Sequence, residues 1–172
     1  MSISVPVSAS IKMPEGVTAQ LDGTNIVVSG KAGKSRRSFD PRKLKVEVKG
    51  GEILLESTTT GMLNTFSSHV KNMALGASEG YTVNMKTLHS HFPMSFELKG
   101  KALLIKNFLG EKKPRHSPIA GDTKVEVKGT DLKISGPSKD DVGQTVANIK
   151  TTLRIRKRDS RVFQDGLYEV EE

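Results

Sequence analysis

Short apolar runs separated by glycines recur along most of this chain and predict antiparallel β-hairpins. Each glycine supplies the positive φ that a tight turn between two strands needs. The paired runs, with turns at Gly23, Gly50-Gly51, Gly100 and Gly129, are 17–21 with 26–28, 44–48 with 53–55, 94–98 with 103–105, and 125–127 with 132–134. In the third pair, the alternation of Phe92, Met94, Phe96 and Leu98 predicts a strand with one buried face.

Two segments show helical periodicity instead, and each follows a group of predicted strands. Their apolar residues recur at helical spacing at Leu63, Phe66, Val70 and Met73, and at Val142, Val146, Ile149 and Leu153. The second helix is predicted to begin at residues 138–141, Ser-Lys-Asp-Asp, a variant of the capping box. Gly143 within this helix is expected to mark a close packing contact, and Gly76 and Gly80 are expected to end the first helix.

One segment of the chain occurs twice. Residues 45–50, Lys-Val-Glu-Val-Lys-Gly, reappear unchanged as residues 124–129, and the same offset of 79 carries Lys71 onto Lys150. We therefore interpret the chain as an internal duplication. The predicted fold class is α+β, with two tandem homologous domains, each a small, mostly antiparallel sheet arrangement packed with one helix. The predicted boundaries are 1–80 for the first repeat and 81–172 for the second repeat with a basic C-terminal tail.

The chain is strongly basic, with a formal net charge of +8 at pH 7 and a pI near 9.7. Thirteen of its 27 Lys and Arg residues lie in three short segments, 31–37, 112–115 and 150–161. Clustering of this kind indicates a polyanionic partner more than a dispersed surface charge that only aids solubility.

What the sequence lacks disfavours several other classes of protein. It has no cysteine, so it has no disulfide, no cysteine zinc ligand and no thiol nucleophile. No apolar stretch approaches the roughly 18 to 20 residues of a membrane span, and none near Met1 resembles a signal peptide. The acids and serines form no catalytic pattern. We expect a cytoplasmic protein that is not an enzyme and needs no cofactor, small-molecule substrate or membrane.

One glycine-rich segment superficially matches a nucleotide-binding loop. Residues 30–35 read Gly-Lys-Ala-Gly-Lys-Ser, but Val28 stands where a P-loop needs its first glycine. The loop should also open a helix, and Pro41 follows too soon for one. The duplication places Gly33 in a position like that of Gly110, so we interpret both as turns.

A pair of histidines is a candidate metal site that the rest of the sequence does not support. His89 and His91 have a spacing that some metal sites use, and the remaining imidazoles of the chain are His69 and His116. Nothing in the sequence brings those two near the pair, so no metal is expected.

Aromatic residues are scarce, with six Phe, two Tyr and no Trp. We expect Phe92 and Phe96 to lie in the core, and Phe108 and Tyr168 to be the exposed candidates. Reading of single-stranded RNA by base stacking is therefore disfavoured. Recognition of shape and phosphate by Lys and Arg in loops, as in the binding of folded double-helical RNA, fits the sequence better.

Several motifs in the second half resemble those of a known family. They are residues 91–94 (His-Phe-Pro-Met), 107–112 (Asn-Phe-Leu-Gly-Glu-Lys), 114–115 (Pro-Arg), 142–149 (Val-Gly-Gln-Thr-Val-Ala-Asn-Ile) and 161–168 (Arg-Val-Phe-Gln-Asp-Gly-Leu-Tyr). Together they resemble the archaeal and eukaryotic branch of the universal large-subunit ribosomal protein six family. Residues 14–17 and 72–80 are similar to the family more loosely.

This resemblance implies a non-catalytic structural constituent of the large ribosomal subunit. It implies binding to large-subunit ribosomal RNA (rRNA) near the stalk base and the sarcin–ricin loop, beside neighbouring large-subunit ribosomal proteins. In that family the second domain and its tail make most RNA contacts. Where relatives often have another arginine after Pro-Arg, this chain has His116, which implies a weaker or pH-dependent contact there.

The predicted rRNA-binding residues combine the charge clusters with this resemblance. They are Lys112, Lys113, Arg115, His116, Lys150, Arg154, Arg156, Lys157, Arg158 and Arg161. A secondary set in the first repeat comprises Lys31, Lys34, Arg36 and Arg37. The alternatives are a non-ribosomal protein-interaction scaffold with a generic basic surface and a nucleotide-dependent enzyme.

Overall fold

A computed structural model describes residues 7–49, 51–88, 92–156, 158–159 and 161–170. These residues form two compact units. The first contains the described residues up to Gly80 together with Pro137–Lys139, and the second contains Tyr81–Gly136 and the described residues from Asp140 onward. No helix in the described ranges has both the length and the apolar character to cross a membrane.

The first unit consists of two three-stranded antiparallel sheets and one helix. Its elements are β1 (Val7–Lys12), β2 (Thr18–Asp22), β3 (Asn25–Ser29), β4 (Lys34–Ser38), β5 (Leu44–Lys49), β6 (Glu52–Ser57) and α1 (Thr60–Ser78). One sheet has the order β1-β6-β5 and the other β2-β3-β4. The apolar face of α1 contacts both sheets, and the core includes Ile26, Ile53, Leu55 and Val70, all fully buried.

The second unit repeats this plan with an additional strand. Its elements are β7 (Tyr81–Leu88), β8 (Ser95–Lys99), β9 (Ala102–Lys106), a 3-10 turn (Phe108–Gly110), β10 (Arg115–Pro118), β11 (Lys124–Lys128), β12 (Asp131–Gly136), α2 (Lys139–Thr152) and β13 (Gly166–Val170). The sheet orders are β10-β9-β8 and β11-β12-β7-β13, and every pairing is antiparallel. The core includes Leu103, Ile105, Leu132, Ile134 and Ile149.

The predicted α+β class is confirmed, and so are the four hairpins. The turn glycines have the positive φ that the sequence predicts, with values of 59° at Gly23, 60° at Gly100 and 62° at Gly129. The same holds for Gly51, whereas Gly50 lies outside the described residues. Local periodicity and turn chemistry are therefore sufficient to find these elements.

Three local predictions about packing are wrong. Phe92 and Leu98 are 45% and 43% exposed, because β8 is an edge strand that begins after Phe92. Gly76 is a buried residue inside α1, and the helix ends beyond it, followed by Gly80 at φ 80°. Gly143 has open space where a Cβ would lie, so no close contact explains it.

Candidate nucleic-acid interface

The second unit contains a cleft of about 450 Å³ lined by arginines. It lies where α2 ends and the following segment passes the turn before β10. We call it the arginine cleft and define it by Arg115, Arg154, Arg156 and Arg158, which line it together with Leu109, Glu111, Thr151, Thr152 and Ile155. The fold thus brings together residues from two of the basic segments that the sequence predicts as a site.

Arg115 is fixed at the base of this cleft by its own protein. Its Nε and Nη2 donate to the two carboxylate oxygens of Glu111 at 2.8 and 2.5 Å, and Nη1 donates to the carbonyl oxygen of Thr152 at 2.7 Å. Its guanidinium also lies 4.4 Å from the centroid of the buried Phe108 ring. Arg115 therefore connects the turn after Phe108 to the C-terminal end of α2, where an unsatisfied carbonyl attracts a cation.

The same contact determines the charge state of Glu111. Hydrogen bonds from Arg115 hold the pKa of the Glu111 carboxyl below its ordinary value, although partial burial opposes this. Among the described residues that line the cleft, Glu111 is the one carboxylate. Because Arg115 neutralises it, the remaining arginines of the cleft face no free negative charge of the lining.

The chain after α2 directs two of these arginines outward. Leu153 is buried and Ile155 packs against the same core, so the alternating residues Arg154 and Arg156 are exposed. Among the residues that the structure describes, no carboxylate lies within ion-pair distance of Arg154, Arg156 or Arg158. These three guanidiniums are available to an external anion.

A short turn positions Arg158. The carbonyl of Asp159 accepts hydrogen bonds from the backbone N–H groups of Val162 and Phe163 at 3.2 and 3.0 Å, and its side chain accepts one from the N–H of Arg161 at 2.9 Å. This turn places the Phe163 ring under the Arg158 guanidinium, 4.7 Å from its carbon to the ring centroid. Asp159, the single acid of the basic segment, thus has a structural role.

The other predicted residues of the second unit lie outside the cleft lining. Lys112 and Lys113 are exposed on the loop before β10, His116 is exposed on β10, and Arg161 is exposed on the turn after Asp159. Lys150, on the last turn of α2, forms an ion pair with Glu169 at 2.8 Å. Lys157, as well as His89 and His91, falls outside the described residues.

The secondary set lies on the turn and strand after β3 in the first unit. Lys31, Lys34 and Arg36 are exposed, and Arg36 lies 3.7 Å from Asp22, whereas Arg37 is half-buried and already has a partner. The segment after the Gly-Lys-Ala-Gly turn is strand β4, not the helix that a P-loop requires.

Two predictions about the aromatic residues are wrong in opposite directions. Phe108, expected to be exposed, is 1% exposed and lies under Arg115. Phe92, expected in the core, lies exposed against the bare backbone of Gly110. Tyr168 is 50% exposed, as expected. No group of three or more His, Asp or Glu side chains in the described ranges could hold a metal ion.

The fold and the cleft define a class of protein, namely a repeated α+β scaffold with a basic surface of the kind that nucleic-acid-binding proteins carry. The sequence model of the family described as "Ribosomal protein L6" matches residues 92–166. The large ribosomal subunit protein uL6 of Methanosarcina mazei is 42% identical over 170 residues, which cover 96% of this chain and 97% of that protein. The uL6 proteins of Methanocella arvoryzae and Haloarcula marismortui are 43% and 42% identical, with 92% of this chain covered by each. The chain belongs to the ribosomal protein L6 family.

Proposed function

We propose that this protein is a structural constituent of the large ribosomal subunit in the cytoplasm and binds large-subunit rRNA without catalysis. Its relatives carry the name of a large-subunit protein. The observation that carries the proposal is the arginine cleft, which is lined by the exposed residues Arg154, Arg156 and Arg158 and by one carboxylate that Arg115 neutralises. Within the described part of the chain, none of these three arginines forms an ion pair with a carboxylate. The predicted position in the subunit, near the stalk base and the sarcin–ricin loop beside other ribosomal proteins, belongs to this proposal.

Within the cleft, different arginines have different roles. Arg154, Arg156 and Arg158 bind phosphate oxygens, for which the planar guanidinium offers two parallel N–H donors. Arg115 positions them, since its donors are engaged with Glu111 and Thr152. The affinity comes largely from counterion release when phosphates are neutralised, so it falls steeply as salt concentration rises.

The remaining predicted residues extend this surface. Lys112, Lys113, His116 and Arg161 add exposed groups on the adjoining loops and strand, and Lys157 continues the basic segment. Lys150 contributes less, because Glu169 already neutralises it. The first-unit set of Lys31, Lys34, Arg36 and Arg37 forms a secondary contact.

We also propose that residues 1–80 and 81–172 are separate domains, and that each domain holds its basic loops in a fixed position.

The test measures the salt dependence of rRNA binding by the full-length protein. The probe is large-subunit rRNA of Methanosarcina mazei, transcribed and folded with Mg²⁺. Replacement of Arg154, Arg156 and Arg158 together by Gln should make the slope of log K against log [salt] shallower by about 2 to 3, since each lost phosphate contact contributes roughly 0.7 to 0.9.

The matched control removes three cations from the first unit, in the triple variant K12Q/K45Q/K49Q. Two of these lysines are already paired with carboxylates, so we expect a change in slope of less than about 1. If the cleft variant behaves like this control, the arginine cleft does not bind rRNA. If neither variant nor wild type binds the RNA at low salt, the protein-interaction scaffold becomes the better explanation.

A further inference from the structure

The duplication gives each unit a sheet whose outer face can be compared position by position. Strands β5 and β11 share the sequence Lys-Val-Glu-Val-Lys, so Lys45, Glu47 and Lys49 correspond to Lys124, Glu126 and Lys128. In each sheet this face continues across the two neighbouring strands, which are β6 and β1 in the first unit and β12 and β7 in the second. It does so because residues directly opposite in antiparallel strands point to the same side. The pairing registers place Glu52 and Lys12 beside Lys49, and Asp131 and Lys86 beside Lys128.

In the first unit the charges of this face are balanced. It carries three cations and three carboxylates, at Lys12, Lys45, Lys49, Glu47, Glu52 and Glu56. The Nζ atom of Lys49 lies 2.6 Å from a carboxylate oxygen of Glu47, and the Nζ atom of Lys12 lies 3.9 Å from a carboxylate oxygen of Glu52. Two of the three cations of this face thus have carboxylate partners within the protein itself.

In the second unit the equivalent face has an excess of positive charge. Lys133 stands where the first unit has Leu54, and Ser135 stands where it has Glu56. The face therefore carries four cations, Lys86, Lys124, Lys128 and Lys133, with two carboxylates, Glu126 and Asp131. Within the described ranges, no carboxylate lies at ion-pair distance from Lys86, Lys128 or Lys133.

These unpaired lysines line a broad, open concavity of about 1090 Å³ on the sheet β11-β12-β7-β13. The opposite face of the same sheet packs against α2 through Met85, Leu132 and Ile134. The face that carries the unpaired lysines is therefore turned away from α2. We call it the lysine face and define it by Lys86, Lys128 and Lys133.

We propose that the lysine face is a second RNA-binding surface, which contacts the phosphates of an rRNA segment other than the one in the arginine cleft. This inference rests on the proposed function for the identity of the RNA. Neighbouring strands lie about 4.8 Å apart, so Lys128 and Lys86, with β12 between them, are about 10 Å apart and span more than one phosphate. The lysine ammonium group acts on phosphate as a point charge on a flexible side chain. Such a group suits contact with the phosphate backbone of RNA without recognition of the base sequence.

The chemistry of the lysine face favours RNA over a protein partner. Lysine is depleted in protein–protein interfaces relative to other surfaces, whereas Lys and Arg supply many of the phosphate contacts of nucleic-acid-binding proteins. With the arginine cleft at the end of α2 and the lysine face beyond the sheet, the second unit contacts RNA on two sides. It would hold two rRNA segments at a fixed separation.

The experiment compares three triple variants of the full-length protein on the folded Methanosarcina mazei rRNA. In K86Q/K128Q/K133Q we expect the salt slope to become shallower by about 2 to 3, and hydroxyl-radical protection should be lost at one RNA segment while the arginine-cleft segment stays protected. The control K12Q/K45Q/K49Q removes the same charge from the equivalent face of the first unit. The variant K86R/K128R/K133R keeps the charge and should retain the wild-type slope.

Each outcome decides between the proposals. If K86Q/K128Q/K133Q matches the first-unit control while R154Q/R156Q/R158Q still makes the salt slope shallower, the lysine face is not an RNA surface and the proposed function stands. If none of the variants changes the slope, both proposals fail. If the lysine-face variant binds RNA like wild type but is excluded from assembled subunits, the face binds a protein and the inference is overturned.

Discussion

Replacement of Arg115 by Met tests whether the base of the arginine cleft is a structural clamp. Methionine keeps most of the length and apolar character of the arginine side chain but has no donor. The variant therefore loses the two hydrogen bonds to Glu111 and the one to the carbonyl of Thr152. It also loses the stacking of the guanidinium on Phe108.

The expected loss follows from how exposed each contact is. The Glu111 side chain is 42% exposed, so solvent screens the ion pair to about 0.5–1 kcal/mol. The hydrogen bond to Thr152 contributes about 1 kcal/mol, and the cation–π contact contributes about 0.5–1 kcal/mol. A methionine sulfur near the ring restores about 0.5 kcal/mol. We therefore expect the free energy of unfolding to fall by about 2 kcal/mol.

Urea unfolding followed by tyrosine fluorescence measures this loss in the relevant unit. Both tyrosines of the chain, Tyr81 and Tyr168, lie in the second unit, and there is no tryptophan. Lys101→Met is the control, because Lys101 is exposed on the β8–β9 turn and has no ion pair within the described ranges. A loss below about 0.5 kcal/mol for Arg115→Met, or an equal change in Lys101→Met, would refute the clamp.

Three further variants test other local conclusions. Gly143→Ala should stabilise the second unit by about 1 kcal/mol in the same urea assay, because its Cβ meets open space within a helix; destabilisation would mean that the position is crowded. Gly30→Ala should destabilise the first unit by about 1–3 kcal/mol, measured by circular dichroism, since its Cβ would collide with the backbone carbonyl of Ala77; unchanged stability would refute this contact. The folded pKa of Glu111 is depressed, so its stabilising contribution is complete above the unfolded value of about 4.3 and is lost as pH falls through the folded pKa. The stability difference between wild type and Glu111→Gln should therefore shrink below about pH 4, and a constant difference from pH 7 to pH 3 would contradict the role of Arg115.

The elements that the sequence predicts well are those determined by neighbouring residues. Hairpins such as β11–β12 need an apolar alternation and a glycine turn, and both are visible within a short segment. Strand β13 is different, because it pairs with β7, more than 70 residues earlier in the chain. Such pairing depends on tertiary closure of the sheet, for which a local pattern holds no signal.

The sequence predicts which residues give the site its positive charge, but it does not predict how those residues are arranged in space. The sequence identifies Arg115, Arg154, Arg156 and Arg158 as basic, yet it treats them as equal contacts. The different role of Arg115 depends on the Thr152 carbonyl at the end of α2, which only the folded chain brings within 2.7 Å.

The inverted assignment of the phenylalanines has a related cause in the backbone. Asn107 and Leu109 both adopt positive φ, at 61° and 49°, which is uncommon for residues other than glycine. This unusual turn directs Phe108 inward. Phe92 then lies outside, against Gly110. Residue type alone does not indicate such a conformation, so hydrophobic pattern assigned the two rings to the wrong environments.

The duplication shows why identical strands need not have identical functions. The lysines of Lys-Val-Glu-Val-Lys depend on the strand beside them: Leu54 and Glu56 on β6 give a balanced face, whereas Lys133 and Ser135 on β12 leave an excess of cations. The helices differ in the same way. The chain after α1 enters β7 at Tyr81, whereas the chain after α2 continues through a basic segment from which Arg154, Arg156 and Arg158 line the arginine cleft. Both proposed RNA surfaces therefore arise where the second copy departs from the first, although both copies are built from two antiparallel sheets and one long helix.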